Sequence, residues 1–241
     1  MRSVQGLGVQ GLGVQGLAIA LVGAFLLAVI GTTPPGPLPA DAPGERFSAD
    51  RAMQDIERIA AVPHVTGSPA NAAVRAYLVD RLRALGLDVV TDGFPIPQRV
   101  TERLESWGAP GAAEGVNVIG VLPGRDRDLP ALMLMAHYDS VWGSPGAADD
   151  AAGVASILEV LRAMDGEGSP RRDIVVLFTD AEEIGLVGAR AFFADHPLKD
   201  RIGAIVNLEA RGGGGRTTLF QTSRDNGEAV DLYARTVGRP G

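Results

Sequence analysis

Imidazole and carboxylate side chains gather in four short stretches: His137-Tyr138-Asp139, Asp149-Asp150, Asp180-Ala181-Glu182-Glu183 and Glu209. Cysteine is absent, which excludes disulfides, thiolate ligands and a cysteine nucleophile and leaves His, Asp and Glu to hold any metal. Carboxylates crowded into one region repel unless a cation neutralises them, and zinc or a hard divalent ion is the usual answer. A shared carboxylate can hold two metals about 3.5–4 Å apart. Of two adjacent glutamates, one can bind a metal while its neighbour takes a proton from activated water. Asp139 can accept the second ring N–H of a ligating His137 and fix its tautomer. Each piece also has a plainer reading. Glu182-Glu183 suits a solvated helix start, Asp149-Asp150 a helix cap, and Glu209 an ion pair with Arg211. The ordered set is what argues for chemistry.

That order follows the elements that must position it. Strand-like runs at 132–136, 174–179 and 204–208 deliver His137, Asp180 with the glutamate pair, and Glu209. Asp149 and Asp150 open a helical pattern at 151–164. Further strand-like runs fall at 87–90, 116–122 and 217–221, and further helices at 186–195 and 226–237. Ser48 caps a helix reaching Val62, and Ser68-Pro69 starts another with Val74, Leu78, Leu82 and Leu85 on one stripe. Strands alternating with helices, and strands nearly all apolar, predict an α/β fold with a largely parallel sheet covered on both faces. Ligands in such sheets bind beyond the carboxyl ends of the strands.

The 241 residues suffice for one sizeable α/β domain plus an appendage, and a net charge of -7 disfavours a nucleic-acid partner. Residues 4–18 repeat Val-Gln-Gly-Leu-Gly, the last copy ending in Ala18, and run into an apolar stretch at 17–31. The repeat reads as low-complexity sequence, because five residues advance about 140° around a helix and its glutamines share no face. Arg2 is the only charge before Asp41, and no small-x-small site closes the apolar run; the nearest is Ala40-Asp41-Ala42. An uncleaved anchor is therefore favoured over a removable signal peptide, with everything after it outside the cytoplasm. Signal cleavage and secretion is the alternative. Residues 1–32 are expected as repeat and transmembrane anchor, 33–46 as a Pro- and Ala-rich linker, and 47–241 as the catalytic domain.

His137-Tyr138-Asp139-Ser140, Pro145-Gly146-Ala147-Ala148-Asp149-Asp150-Ala151-Ala152-Gly153, Glu182-Glu183-Ile184-Gly185-Leu186-Val187-Gly188 and Asn207-Leu208-Glu209 closely resemble the motifs of the co-catalytic zinc peptidases. That family includes bacterial leucyl aminopeptidases, glutamate carboxypeptidases and the endoplasmic-reticulum metallopeptidases. Pro63-His64-Val65-Thr66-Gly67-Ser68 resembles its membrane-bound branch, and the likeness runs from about Ser48 to Thr222. It implies a mixed, mainly parallel sheet sandwiched between helices, preceded here by one transmembrane helix. It also implies two zinc ions. Asp149 would bridge them, His137 and Glu209 would complete one set of protein ligands, and Glu183 would bind the other ion. Glu182 would be the general base and later acid, and Asp139 the orienting partner of His137.

The expected function is an exopeptidase, foremost an aminopeptidase acting on peptide substrates. A carboxypeptidase, an aminoacyl cyclase and a non-catalytic ectodomain are the alternatives. Two departures stand out: Glu209 occupies a position where many relatives carry Asp, and no histidine follows it, where the family has its second histidine ligand. The second zinc would have only Asp149 and Glu183, one protein ligand fewer than catalytic zinc sites normally offer. The chain is therefore expected to be carboxyl-terminally incomplete and, alone, inactive or nearly so. His64 reads as a loop brace, His196 as a helix-end cap, Trp142 and Tyr138 as pocket lining or packing, and Arg211 with glycines 212–215 as a rim of the cleft.

Overall fold

The computed structural model describes residues 5–106, 111–210 and 217–237. Arg211 and glycines 212–215 lie outside these, so the Glu209–Arg211 pair and the glycine rim fall outside the described residues. Two compact units divide the chain, one of residues 37–212 and one of the residues on either side. The flanking unit contains helices α1 (Gln5–Thr32) and α7 (Gly227–Thr236). Within α1, Gly13–Thr32 has a mean hydropathy of 2.3 with none of it buried, long and apolar enough to cross a membrane. The strand expected at 217–221 is not formed, and those residues are irregular.

The central unit is built on five strands: β1 (Asp88–Pro95), β2 (Glu114–Leu122), β3 (Ala131–His137), β4 (Ile174–Thr179) and β5 (Ile202–Asn207). Their order is β1-β2-β4-β3-β5. β3, β4 and β5 run parallel, while β2 is antiparallel to both β1 and β4, giving the mixed sheet expected. All six residues of β4 are buried, as both faces of a central strand require. Val118, Val176 and Phe178 point to one face with Ile59, Leu78, Leu82, Ile157 and Leu158, from α2 (Ala49–Ile59), α3 (Pro69–Ala84) and α5 (Ala152–Met164). Ile119, Val175 and Leu177 point to the other, with Met133 and with Phe192 of α6 (Val187–Asp195).

Both expected caps are made: the Ser48 hydroxyl accepts from Arg51 N and the Ser68 hydroxyl from Asn71 N. A short helix not read from the sequence, α4 (Gln98–Ser106), buries Val100 and Leu104 in a smaller cluster with Phe94, Ile96 and Ile184. The chain leaves β3 through α5 to β4 on one side, then returns through α6 to β5 on the other. This reversal opens a crevice at the carboxyl end of β3.

Candidate metal centre

His137 ends β3 opposite Thr179 of β4, so the imidazole and the turn after β4 are neighbours by register. Leu208 N donates to Met135 O at 2.8 Å, which draws Glu209 to the same end. Asp149 comes from the turn before α5. Gly146 enters that turn at φ 64°, where a Cβ would meet Asp149 O at 2.7 Å, so glycine is required. Asp150 serves the helix: its Oδ1 accepts Gly153 N at 3.0 Å and its Oδ2 accepts His137 N at 3.3 Å. A Cβ at residue 153 would lie 2.3 Å from that carboxylate. Capping thus falls to Asp150, and Asp149 is left with its side chain 51% exposed.

His137 Nε2 lies 2.8 Å from Asp149 Oδ1 and 3.8 Å from Glu209 Oε1. Donor atoms of His137, Asp149 and Glu209 all fall within 4.8 Å of one another. His137 Nδ1 sits 3.0 Å from the backbone carbonyl of Asp139 and 3.5 Å from its Oδ1. A carbonyl can only accept, so Nδ1 carries hydrogen and Nε2 is the atom that faces Asp149 and Glu209. The ring is oriented first by the Asp139 backbone, and the carboxylate has a second task. Its Oδ1 accepts Glu182 N at 3.0 Å and its Oδ2 accepts Glu183 N at 3.2 Å.

Burial opposes a charge on His137, yet Asp139, Asp150 and Glu182 outweigh it and push the imidazole up to about 11. Burial and the Asp149 charge push the Glu183 carboxyl up to about 7. Burial raises Glu182 and Glu209 as well, with neighbouring carboxylates adding to the effect. An imidazole between acceptors and a ring of carboxylates reluctant to ionise are what a divalent cation relieves, so the donor set fits one. His137, Asp149 and Glu209 form this group. Glu182 and Glu183 adjoin it electrostatically, while Glu183 lies outside the three-donor cluster.

Asp180, which the strand pattern delivers beside the glutamate pair without assigning it a task, sits behind the site with Thr66 and Asn71. Asp180 is 1% exposed, and its carboxylate accepts from Thr66 Oγ1, Asn71 Nδ2, Val116 N and Ala181 N at 2.9, 3.1, 3.0 and 2.9 Å. Burial, then the Asp139 charge, push it up to about 6. Asn71 was detectable as a polar member of the α3 stripe with Val74, Leu78 and Leu82. His64 is buried as a loop brace: its N donates to Ser140 Oγ at 2.9 Å, and Ser140 N returns a bond to its carbonyl. The His196 ring accepts from Leu198 N and so caps the start of the short 3-10 helix at Pro197–Arg201, not the end of α6. Tyr138 is fully buried and donates to Val116 O, whereas Trp142 is 53% exposed.

Imidazole and carboxylates at the carboxyl ends of parallel strands, in the crevice of a mixed α/β sheet, make the site of a metal-dependent hydrolase. Residues 117–240 match peptidase family M28 over just over half of the chain, and the chain belongs to that family of metallopeptidases. A vacuolar membrane protease of Candida albicans is 41% identical over 177 residues, which are 73% of this chain and 20% of that protein. The chain thus spans about a fifth of the length of such relatives. Among solved structures, a zinc aminopeptidase from Bacillus subtilis superposes with a TM-score of 0.59 at 17% identity, covering 70% of each chain. A Bacteroides thetaiotaomicron glutaminyl cyclase bound to N-acetylhistamine gives 0.60 at 20% identity, covering 79% of this chain and 70% of that one. Both likenesses establish the fold.

Proposed function

We propose that this chain carries the catalytic unit of a zinc-dependent exopeptidase of the aminopeptidase type, hydrolysing the amino-terminal bond of peptides. The convergence of His137, Asp149 and Glu209 beside the Glu182–Glu183 pair carries the reading. His137, Asp149 and Glu209 would hold one zinc, and Asp149 with Glu183 a second. Family membership and the zinc aminopeptidase neighbour support zinc as the ion. Zinc there supplies a Lewis acid that polarises a peptide carbonyl and acidifies water. Glu182, with its carboxyl raised by burial, takes a proton from the attacking water and returns it to the leaving amine. Asp139 keeps the two glutamate amides and the His137 ring in place.

Only two protein donors serve the second position among these residues, so one tightly bound zinc per chain is expected, with little turnover by the chain alone. The apolar α1 and the membrane-protease relative support a membrane-anchored protein with this unit on the non-cytoplasmic side. The cyclase neighbour favours a second reading, in which the same site closes an amino-terminal residue on itself.

Zinc content, with turnover of aminoacyl, carboxyl-terminal and amino-terminal glutaminyl peptides by an active form of the protein, separates these readings. Glu182→Gln should keep its zinc and lose about 10²–10⁴ in rate. Loss of zinc together with rate would refute the base assignment.

A further inference from the structure

Two buried carboxylates, Asp139 and Asp180, flank one hydroxyl. Thr66 Oγ1 lies 2.9 Å from Asp180 Oδ1 and 3.3 Å from Asp139 Oδ2, and all three residues are at most 1% exposed. A hydroxyl has one hydrogen, so it serves one carboxylate at a time while remaining in reach of the other. Both carboxylates hold the turn after β4, Asp139 from the turn after β3 and Asp180 from within it. Asp139 holds the amides of Glu182 and Glu183 and touches His137 Nδ1. Asp180 holds Ala181 N, and its own N donates to Asn117 Oδ1 at 3.1 Å, while its carbonyl accepts Gly188 N. Ala181, between Asp180 and the glutamates, sits at φ 61°, a conformation that costs a non-glycine residue about 1–2 kcal/mol and needs such restraint.

We propose that Thr66 and Asp180 are positioning residues: the shared hydroxyl locks the turn after β4 to the turn after β3, so that Glu182 and Glu183 are held beside the His137–Asp149–Glu209 cluster. Its reference to a metal rests on the proposed function above; the placement of the glutamate amides does not.

Thr66→Val removes the hydroxyl and keeps the shape, leaving the two carboxylates facing each other. Thr66→Ser keeps the hydroxyl and loses a buried methyl. A role in packing alone therefore predicts that the serine variant is the worse of the two. The positioning role predicts that the full chain with Thr66→Val binds Co²⁺ about tenfold more weakly and shifts its visible absorption bands, while Thr66→Ser matches wild type even if it melts earlier. On the metal-free chain, hydrogen exchange at the Glu182 and Glu183 amides should accelerate in Thr66→Val and not in Thr66→Ser. Unchanged exchange at both amides in Thr66→Val, or equal acceleration in the two variants, overturns the proposal. If the wild-type chain binds no Co²⁺, the metal reading fails, and the amide exchange still decides the positioning role.

Discussion

Replacing Glu159 by alanine should loosen the stretch of chain that leads into the catalytic unit. Glu159 is 3% exposed, and its oxygens accept Ser48 N at 2.8 Å, Arg51 Nε at 3.0 Å, and Arg162 Nε and Nη2 at 2.6 and 2.8 Å. The same guanidiniums donate to backbone carbonyls, Arg51 to Ala40, Ala42 and Arg46, and Arg162 to Gly44 and Arg46. The Pro- and Ala-rich stretch, expected as a spacer, is thus clamped from Leu38 to Arg46. Removing the carboxylate leaves the Ser48 amide unpaired, at a cost of about 1–3 kcal/mol. Breaking a fully buried ion pair costs about 3–5 kcal/mol, but Arg51 and Arg162 are 18% and 26% exposed and regain water. A net loss of about 2–4 kcal/mol follows, with about half that for Glu159→Gln.

Denaturant unfolding of the full chain in detergent measures the loss, and hydrogen exchange across 38–46 localises it. Burial works against ionisation of Glu159, but Arg162, Ser48 and Arg51 outweigh it and hold its carboxyl below the usual range. A depressed acid stabilises the fold above its unfolded value and loses that contribution as pH falls through the folded one. The gap between wild type and Glu159→Gln should therefore close in acid. An alanine variant within about 0.5 kcal/mol of wild type, with unchanged exchange at 38–46, would refute the clamp.

In an active form of the protein that holds both ions, Asp149→Ala should remove both, because the carboxylate is shared, whereas His137→Ala should mainly weaken one; elemental analysis of both variants checks this. Because His137 is pushed up to about 11, a metal must displace a proton there, so affinity for zinc should rise about tenfold per pH unit near neutrality. A pH-independent affinity by competition titration would contradict that. A reporter fused after Phe47 should lie outside the cytoplasm with the protein in the membrane fraction, and a soluble product beginning near Asp41 or Pro43 would favour signal cleavage.

Elements whose burial is written into local pattern were legible. Ile174–Thr179 is apolar up to Phe178 and is a strand with those bounds, and Ser48 and Ser68 announce their helices by capping chemistry. α4 escaped notice because it shows only Val100 and Leu104 among polar neighbours, one apolar contact per turn. The run at 217–221 has strand-forming residues but pairs with no strand, and β-propensity means little without a partner. His137, Asp149 and Glu209 stood out because metal donors at successive strand ends make a one-dimensional pattern. The link from Thr66 to Asp180 did not, since a hydrogen bond between residues 66 and 180 leaves no local signature. The division between Asp149 and Asp150 likewise depended on which carboxylate Gly153 leaves room for.

The clamp around residues 38–46 also sets a clock. The carbonyls of Ala40 and Ala42 are held by Arg51, and Ala42 N turns back to Pro39 O. A protease must draw such a segment out straight, and hydrogen-bonded backbone resists this. Any severing at Ala40-Asp41-Ala42 is therefore a race against folding: it succeeds while α5 has yet to bring Glu159 and Arg162 into place, and stalls afterwards. Loosening the clamp, as Glu159→Ala would, leaves the segment open to cleavage for longer.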